Sequence, residues 1–376
     1  MKKKILVDIF YLHVAQTGIR TYTESLIEAI EGNGKTGKYD YIVSPSFASI
    51  KSSTFFKGKT PKWKNLLFQF LYFFRKIVSL PLLSYWYRSD LVFSPDILSP
   101  LWARGTKISV LHDAFFWENP SHYNSVWRRF FLKMLDFSLR KNAHVVTITE
   151  HSKKQIQHYL GLPDRSIHVV YPATNIAAKP KAPTSHSLLD SRYFLHVGVM
   201  EKRKNLVTLI RAYSYFLKAS EEDDFKLVLV GQRGPRKDLD DYDNVLSQIA
   251  ELGLQEKVVL PGFVSREVLE RYYQHAFAYI FPSLNEGFGM PVLEAFSYQL
   301  PVIISRQGAL MEVGGDAVSC PVDNSPKAFS EEMQRVVEDP TLRKTLIQKG
   351  NQRLTRFSGK RFLVDLEACF SKILRA

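Results

Sequence analysis

The chain alternates short apolar runs with longer stretches in which apolar residues recur every three or four positions. Ile5–Val7, Ile108–Leu111, Val145–Ile148 and His168–Val170 are short, apolar and partly β-branched. Phe194–Val197, Lys226–Val230, Lys257–Leu260, Ala278–Ile280 and Val302–Ile304 repeat the pattern further on. Runs of this length and composition predict strands. Between them, Thr21–Glu31, Leu206–Lys218 and Arg266–His275 carry the period of amphipathic helices. Alternation of this kind predicts parallel sheets covered by helices, an α/β protein.

The alternation restarts midway. From Tyr171 to Leu189 the chain is rich in Pro, Ala, Lys and Ser, with Pro172, Pro180 and Pro183 and little periodicity, which reads as a linker. The predicted division is an N-terminal domain over 1–178, a linker over 179–190 and a C-terminal domain over 191–355. Phe362–Leu374 reads as a closing amphipathic helix, and the segment 356–376 is expected to pack back on the N-terminal domain. A chain of 376 residues exceeds one comfortable core, in keeping with two domains.

Composition adds partners and compartment. The 45% hydrophobic and 23% charged content argues against global disorder. Two cysteines, Cys320 and Cys369, exclude a disulfide framework and a cysteine-rich zinc site, and fit a reducing, cytoplasmic setting. A formal net charge of +14 favours an anionic partner: nucleic acid, an acidic membrane face or a phosphate-bearing substrate. The N-terminal Met-Lys-Lys-Lys-Ile-Leu-Val-Asp is read as a first strand, because Asp8 cuts the apolar run short and no small-residue cleavage site follows.

The stretch 57–88 breaks the rhythm. Lys57, Lys59, Lys62, Lys64, Arg75, Lys76 and Arg88 are interleaved with Trp63, Phe68, Phe70, Tyr72, Phe73, Phe74, Tyr85 and Trp86. Its uninterrupted apolar runs are far shorter than the ~20 residues of a membrane span. Basic and aromatic residues together are what an interfacial helix uses at lipid headgroups. The expected location is therefore cytoplasmic, peripheral on the inner face of the membrane, with an amphipathic helix packed on the first domain as the plainer alternative.

The chemistry concentrates in Asn285-Glu286-Gly287-Phe288-Gly289-Met290-Pro291-Val292-Leu293-Glu294, after the apolar run Ala278–Phe281 and a turn at Pro282-Ser283. Gly287 and Gly289 allow close approach of a ligand to the backbone. Pro291 suits the first turn of a helix, whose free N–H groups and dipole form an anion site. Glu286 before that helix and Glu294 within it are suited to sugar and ribose hydroxyls. Val292 stands where a dinucleotide fingerprint needs its third glycine.

A second segment, His196-Val197-Gly198-Val199-Met200-Glu201-Lys202-Arg203-Lys204-Asn205, ends a strand at Gly198 and places three basic residues before a helix. Cations at the C-terminal end of a parallel strand face the crevice where such sheets bind ligands, so Arg203 and Lys204 are candidates to neutralise a diphosphate. In the first half, His112-Asp113 ends an apolar strand, as a polar clamp, a proton handler or a structural pair. The loop around Gly18, Thr17–Tyr22, is a weaker phosphate or acceptor candidate. No His-Glu-x-x-His, Gly-x-Ser-x-Gly or Walker-type motif occurs. His144, His151, His158 and His168 lack a metal-ligand arrangement, and no metal is expected.

With these residues in place, the chain resembles the family-4, group 1 retaining glycosyltransferases, two facing Rossmann-like domains in the GT-B architecture. The hallmark is Glu-Gly-Phe-Gly-x-Pro-x-x-Glu, matched by Glu286 to Glu294. Gly18, His112-Asp113, Gly198 with Arg203-Lys204, Pro261-Gly262-Phe263-Val264, Pro301-Val302-Ile303 and Gly314-Gly315-Asp316-Ala317 support it. The resemblance implies that Glu286 and His112 reach the donor sugar, the latter from the opposite domain. It puts Glu294 on the ribose, Arg203 and Lys204 on the phosphates, the backbone of Phe288–Val292 on sugar and diphosphate, and Phe263 and Val264 by the base. Many members carry arginine directly after the glycine equivalent to Gly198, where this chain has Val199. The expected reaction is hexose transfer, mannose favoured and GDP-mannose preferred over a UDP-sugar, with no cofactor. The expected acceptor is a growing surface glycan of O-antigen, capsule or lipopolysaccharide type. A sugar-nucleotide 2-epimerase shares the architecture. A basic nucleic-acid-binding protein is the reading from another class, and it leaves Glu286 and Glu294 without a role.

Overall fold

The computed structural model describes residues 2–15, 17–33, 37–53, 55–56, 61–118, 120, 124–173, 187–220, 224–234 and 237–375. The chain forms two compact units, Met1–Asn175 with Phe357–Ala376, and Ile176–Arg356. Of the expected 179–190 linker, 179–186 lie outside the described residues, as do 57–60 of the basic-aromatic stretch.

The first unit holds six parallel strands, β1 (Lys4–Asp8), β2 (Asp40–Ser44), β3 (Leu91–Ser94), β4 (Thr106–Leu111), β5 (Ala143–Thr147) and β6 (Ile167–Val169). Their order is β2-β1-β3-β4-β5-β6, so the connections change direction between β1 and β3. β3 and β4 are buried throughout, the signature of a strand covered on both faces. The helix Gly359–Ile373 belongs to this unit. Ser358 caps it, and Phe362, Leu363, Leu366, Cys369, Phe370 and Ile373 form its buried stripe. Phe362 meets Tyr22 at 5.2 Å and Phe370 meets Phe93 at 5.3 Å between ring centroids.

The second unit holds five parallel strands, β7 (Arg192–Val197), β8 (Phe225–Val230), β9 (Val258–Gly262), β10 (Ala278–Phe281) and β11 (Val302–Ile304), in the order β11-β10-β7-β8-β9. The switch point lies between β7 and β10. Open parallel sheets bind ligands there, outside the carboxyl ends of the strands. Val197 pairs with Val230 and Val230 with Gly262, so the loops after β7, β8 and β9 leave one edge in register. Phe194, Leu209, Tyr213, Phe216, Phe225 and Phe329 build the core beneath them.

Two sequence expectations are corrected here. The helix after β1 spans Thr17–Asn33, with a short 3-10 turn at Phe10–His13 making the connection. Gly18 therefore lies in a helical first turn, where the sequence suggested a loop. The basic-aromatic stretch is continuous from Lys62 to Trp86, with a π turn at Arg75–Ser79 between two α segments. By length and composition this 25-residue helix is apolar enough to cross a membrane. Its short apolar runs concealed that, because the two basic residues interrupting them face inward.

Arg75 and Lys76 are buried, where the sequence placed them among headgroup contacts. Arg75 Nε donates to Asp8 Oδ1 at 2.7 Å, and Lys76 Nζ donates to Asp8 Oδ2 at 2.8 Å and Asp96 Oδ1 at 2.9 Å. The π turn lets consecutive side chains reach the same interior, as an extra residue in a helical turn shifts the faces. Burial alone would raise the Asp8 carboxyl, but Lys76 and Arg75 hold it at about 2. Burial raises the Asp96 carboxyl against the pull of Lys76. These pairs bind the helix into the first unit as an amphipathic element.

Candidate functional site

β7 delivers the chain to Gly198 and a loop tied down by its own backbone. Gly198 N–H donates to Val230 O at 2.9 Å, Met200 N–H to Gln232 O at 3.0 Å and Lys202 N–H to Leu239 O at 2.9 Å. A Cβ on Gly231 would stand 1.8 Å from Gly198 O, so this approach of two backbones requires glycine. Lys202–Lys204 form a 3-10 turn closed by Asn205 in the left-handed region, and the helix Leu206–Ala219 follows.

β10 delivers the partner loop. Leu284 N–H donates to Arg203 O at 2.7 Å and Ser283 Oγ to the same oxygen at 3.0 Å. The two loops at the switch point are thus joined through their main chains. On that base, Lys204 Nζ and Ser283 Oγ each lie 2.6 Å from Glu286 Oε1, and Arg203 Nη1 lies 2.8 Å from it. Arg203 Nε also donates to Glu201 Oε2 at 2.8 Å. Burial alone would raise the Glu286 carboxyl; Lys204 and then Arg203 hold it below its ordinary value. Burial lowers the Lys204 ammonium, with Glu286 opposing. Burial also opposes the Arg203 charge, and Glu286 and Glu201 together outweigh it. Lys204 lies 4.6 Å from the centre of the Phe281 ring, which adds a cation–π contact.

The helix Met290–Ser297 starts beside this cluster. Gly289 precedes it at φ 96°, Pro291 sits in its first turn, and no side chain caps it. A Cβ on Gly289 would stand 2.6 Å from Leu310 Cδ2, so both conformation and space demand glycine. Phe288 and Val292 are buried and pin the turn. Glu294 sits in the helix, and Tyr273 donates to its Oε2 at 3.0 Å. Burial raises the Glu294 carboxyl, with Tyr273 and Arg266 opposing. Phe263, just past β9, is 81% exposed, and Val264 beside it is half-buried.

His196, at the end of β7, is fully buried. Its Nδ1–H donates to Ile280 O at 3.0 Å, its ring stacks on Phe281, and burial with the Lys204 charge pushes it down to about 3. A neutral imidazole thus floors the cation cluster. In the first unit, His112 follows β4; its Nε2–H donates to Pro95 O at 3.3 Å and its ring meets Tyr22 edge-on at 5.1 Å. Burial lowers it, so His112 is neutral near pH 7, with Nδ1 as the acceptor nitrogen.

The second unit therefore gathers Gly198, Arg203, Lys204 and Glu286 in one cluster beside the helix that opens at Gly289 and carries Glu294. His112 and Gly18 belong to the first unit. Glu201 and Ser283 fall inside or beside the two motif segments, but their pairing with Arg203 and Glu286 was not foreseen; Tyr273 carried no signal for its bond to Glu294. Two Asp-x-Asp spacings, Asp238-Leu239-Asp240 and Asp241-Tyr242-Asp243, correct the reading that the sequence has none, and Asp240, Asp241 and Asp243 have protein partners. Arg233 pairs with Asp240 and Asp243, and Gly234 N–H donates to Asp240 Oδ1 at 2.7 Å. Among the described residues, no group of three or more His, Cys, Asp and Glu side chains is placed to hold a metal ion.

A cation pair held by a glutamate beside an uncapped helix start, at the switch point of a Rossmann-like sheet, makes a candidate anion site in a two-domain α/β protein. Residues 179–353 match the family described as Glycosyl transferases group 1. Over 259 residues the chain is 29% identical to O-antigen chain mannosyltransferase B of Escherichia coli, covering 67% of this chain and 66% of that one. Over 199 residues it is 31% identical to O-antigen chain mannosyltransferase RfbU of Salmonella typhimurium, covering 53% and 51%. The matched stretches thus span between half and two thirds of these relatives. Among solved structures, sucrose-phosphate synthase of Thermosynechococcus elongatus superposes with a TM-score of 0.72 at 17% identity, covering 100% of both chains. That likeness carries the GT-B fold alone.

Proposed function

We propose that this protein transfers a hexose, mannose in first place, from a nucleotide donor to a growing surface glycan, with retention at the anomeric carbon. The observation that carries the reading is the convergence of Arg203, Lys204 and Ser283 on Glu286 Oε1 beside the uncapped Met290–Ser297 helix. The preference for GDP-mannose and for a surface glycan is supported by the mannosyltransferase names of two relatives.

In this reading the diphosphate lies at the helix start, against the dipole and its free N–H groups. Arg203 and Lys204 stabilise the charge that grows on it as the glycosidic bond breaks. Glu286 keeps its second oxygen, Oε2, for a sugar hydroxyl. Glu294, oriented by Tyr273, accepts from the ribose, and exposed Phe263 lies by the base. The acceptor oxygen attacks the face that the nucleotide leaves, through an oxocarbenium-like transition state, and the departing phosphate takes its proton. Because the departing phosphate takes that proton, the reaction calls for no general base, and His112 is assigned none of the proton transfer. The enzyme works at the inner face of the membrane, which the helix Lys62–Trp86 contacts.

A screen of nucleotide sugars by donor hydrolysis tests this reading, with GDP-mannose expected to be turned over fastest. A faster UDP-sugar would overturn the donor assignment, and no hydrolysis of any nucleotide sugar would overturn the reaction.

A further inference from the structure

The first unit contains a cavity of about 330 Å³, lined by Phe68 and Tyr72 from the Lys62–Phe74 helix and by Trp127 and Phe131 from the helix Ser125–Leu139. Phe116 and Asp96 complete the part of the wall that decides its chemistry. The volume is at the lower end of the ~300–1,000 Å³ typical of small-molecule pockets. A sugar site needs several convergent hydrogen-bonding groups to satisfy hydroxyls. Here the one carboxylate is already engaged: Asp96 accepts from Tyr72 at 2.5 Å on one oxygen and from Lys76 at 2.9 Å on the other. The wall also carries Asn65, Gln69 and Tyr11, but ring and aliphatic carbon make up most of it.

The two helices that wall the cavity also carry apolar residues on their outer faces. Trp63, Leu66, Phe70 and Phe74 are exposed on the first, and Val126, Phe130 and Phe137 on the second. Phe73 and Phe130 join the helices, with ring centroids 5.0 Å apart. Exposed Lys62, Arg129 and Lys133 stand on the same pair. Apolar side chains with interspersed cations suit an anionic lipid surface. A largely apolar, ring-lined cavity walled by those same helices suits a hydrocarbon chain from that surface.

We propose that this cavity holds a hydrocarbon segment, prenyl or acyl, of a lipid-linked acceptor. The inference rests on the proposed surface-glycan acceptor at the inner face of the membrane, and deepens it by giving that acceptor a lipid anchor whose chain is seated in the first unit. Ten-carbon alcohol bearing a terminal diazirine serves as the probe: the full chain is irradiated with it and the labelled peptides are sequenced. Adducts are expected on the segments carrying Phe68–Phe73 and Trp127–Phe131. They should fall at least tenfold in Phe131→Trp and in Val14→Phe, which fill the cavity from different sides, while nucleotide binding by the second unit is unchanged. On the wild type, undecanol should displace the probe and a soluble mannose disaccharide should not. Labelling elsewhere, labelling that persists in both variants, or displacement by the disaccharide would overturn the proposal. Capture of the probe without sugar transfer would sink the enzymatic reading alone, and transfer without capture would sink this one alone.

Discussion

Glu286 takes three donors on a single oxygen, which concentrates the chemistry of the second unit on one carboxylate. Glu286→Ala is expected to lower turnover by about 10²–10³-fold, because it releases Arg203 and Lys204, the groups proposed to act on the developing charge. Circular dichroism should report a retained fold, and near-normal turnover would contradict the assigned role. Glu294→Ala should act mainly through a raised donor KM if it holds the ribose, as proposed. Gly289→Ala probes the backbone. Its φ of 96° and the 2.6 Å approach to Leu310 leave no room for a Cβ. It should cost about 1–3 kcal/mol in a urea titration and weaken nucleotide affinity by displacing the helix start.

At the scale of elements, the helix Lys62–Trp86 is held by charge on one face and left apolar on another. Lys76→Met removes the cation shared by Asp8 and Asp96 and is expected to destabilise the first unit by about 3–5 kcal/mol in equilibrium unfolding. Asp8 adds a pH signature. Its folded value of about 2 lies below the ordinary 3.8. It therefore contributes about 2 kcal/mol above roughly pH 5, lost as the pH falls towards 2. Asp8→Asn should flatten that acid limb, and an unchanged limb would reject the assignment. On the outer face, Phe70→Ser with Phe74→Ser should reduce sedimentation with phosphatidylglycerol vesicles while shifting stability by little more than ~0.5 kcal/mol each. Undiminished vesicle binding would remove the membrane contact from the proposed function.

For the whole molecule, the net charge of +14 left nucleic acid and phosphate-bearing substrates equally open. In the second unit, the cations at the switch point pair with a glutamate, an arrangement that suits one diphosphate. Thermal unfolding with GDP at 100 times its Kd should show stabilisation of about 2.7 kcal/mol. An oligonucleotide at the same concentration should show none; the reverse result would restore the nucleic-acid reading.

Nine of the eleven strands among the described residues, the α/β class and the two-glutamate motif were legible in the sequence, because each is written in neighbouring residues: apolar period, turn glycines, a proline at a helix start; β2 and β3 were not anticipated. The same local logic misjudged Gly18, because residues Thr17–Arg20 carry no strong signal for the helical turn that they form. It also placed Arg75 and Lys76 at the surface, since charge in an apolar stretch reads as solvated until a partner is known. Those partners, Asp8 and Asp96, lie at the ends of strands that only the sheet order brings side by side. The sequence by itself determined most of the segments that form strands and helices, and which residue types suit phosphate and hydroxyl chemistry. Tertiary structure decided which of those groups meet: Lys204 reaches Glu286 because β7 and β10 are neighbours at the switch point, although 82 residues separate the two side chains along the chain.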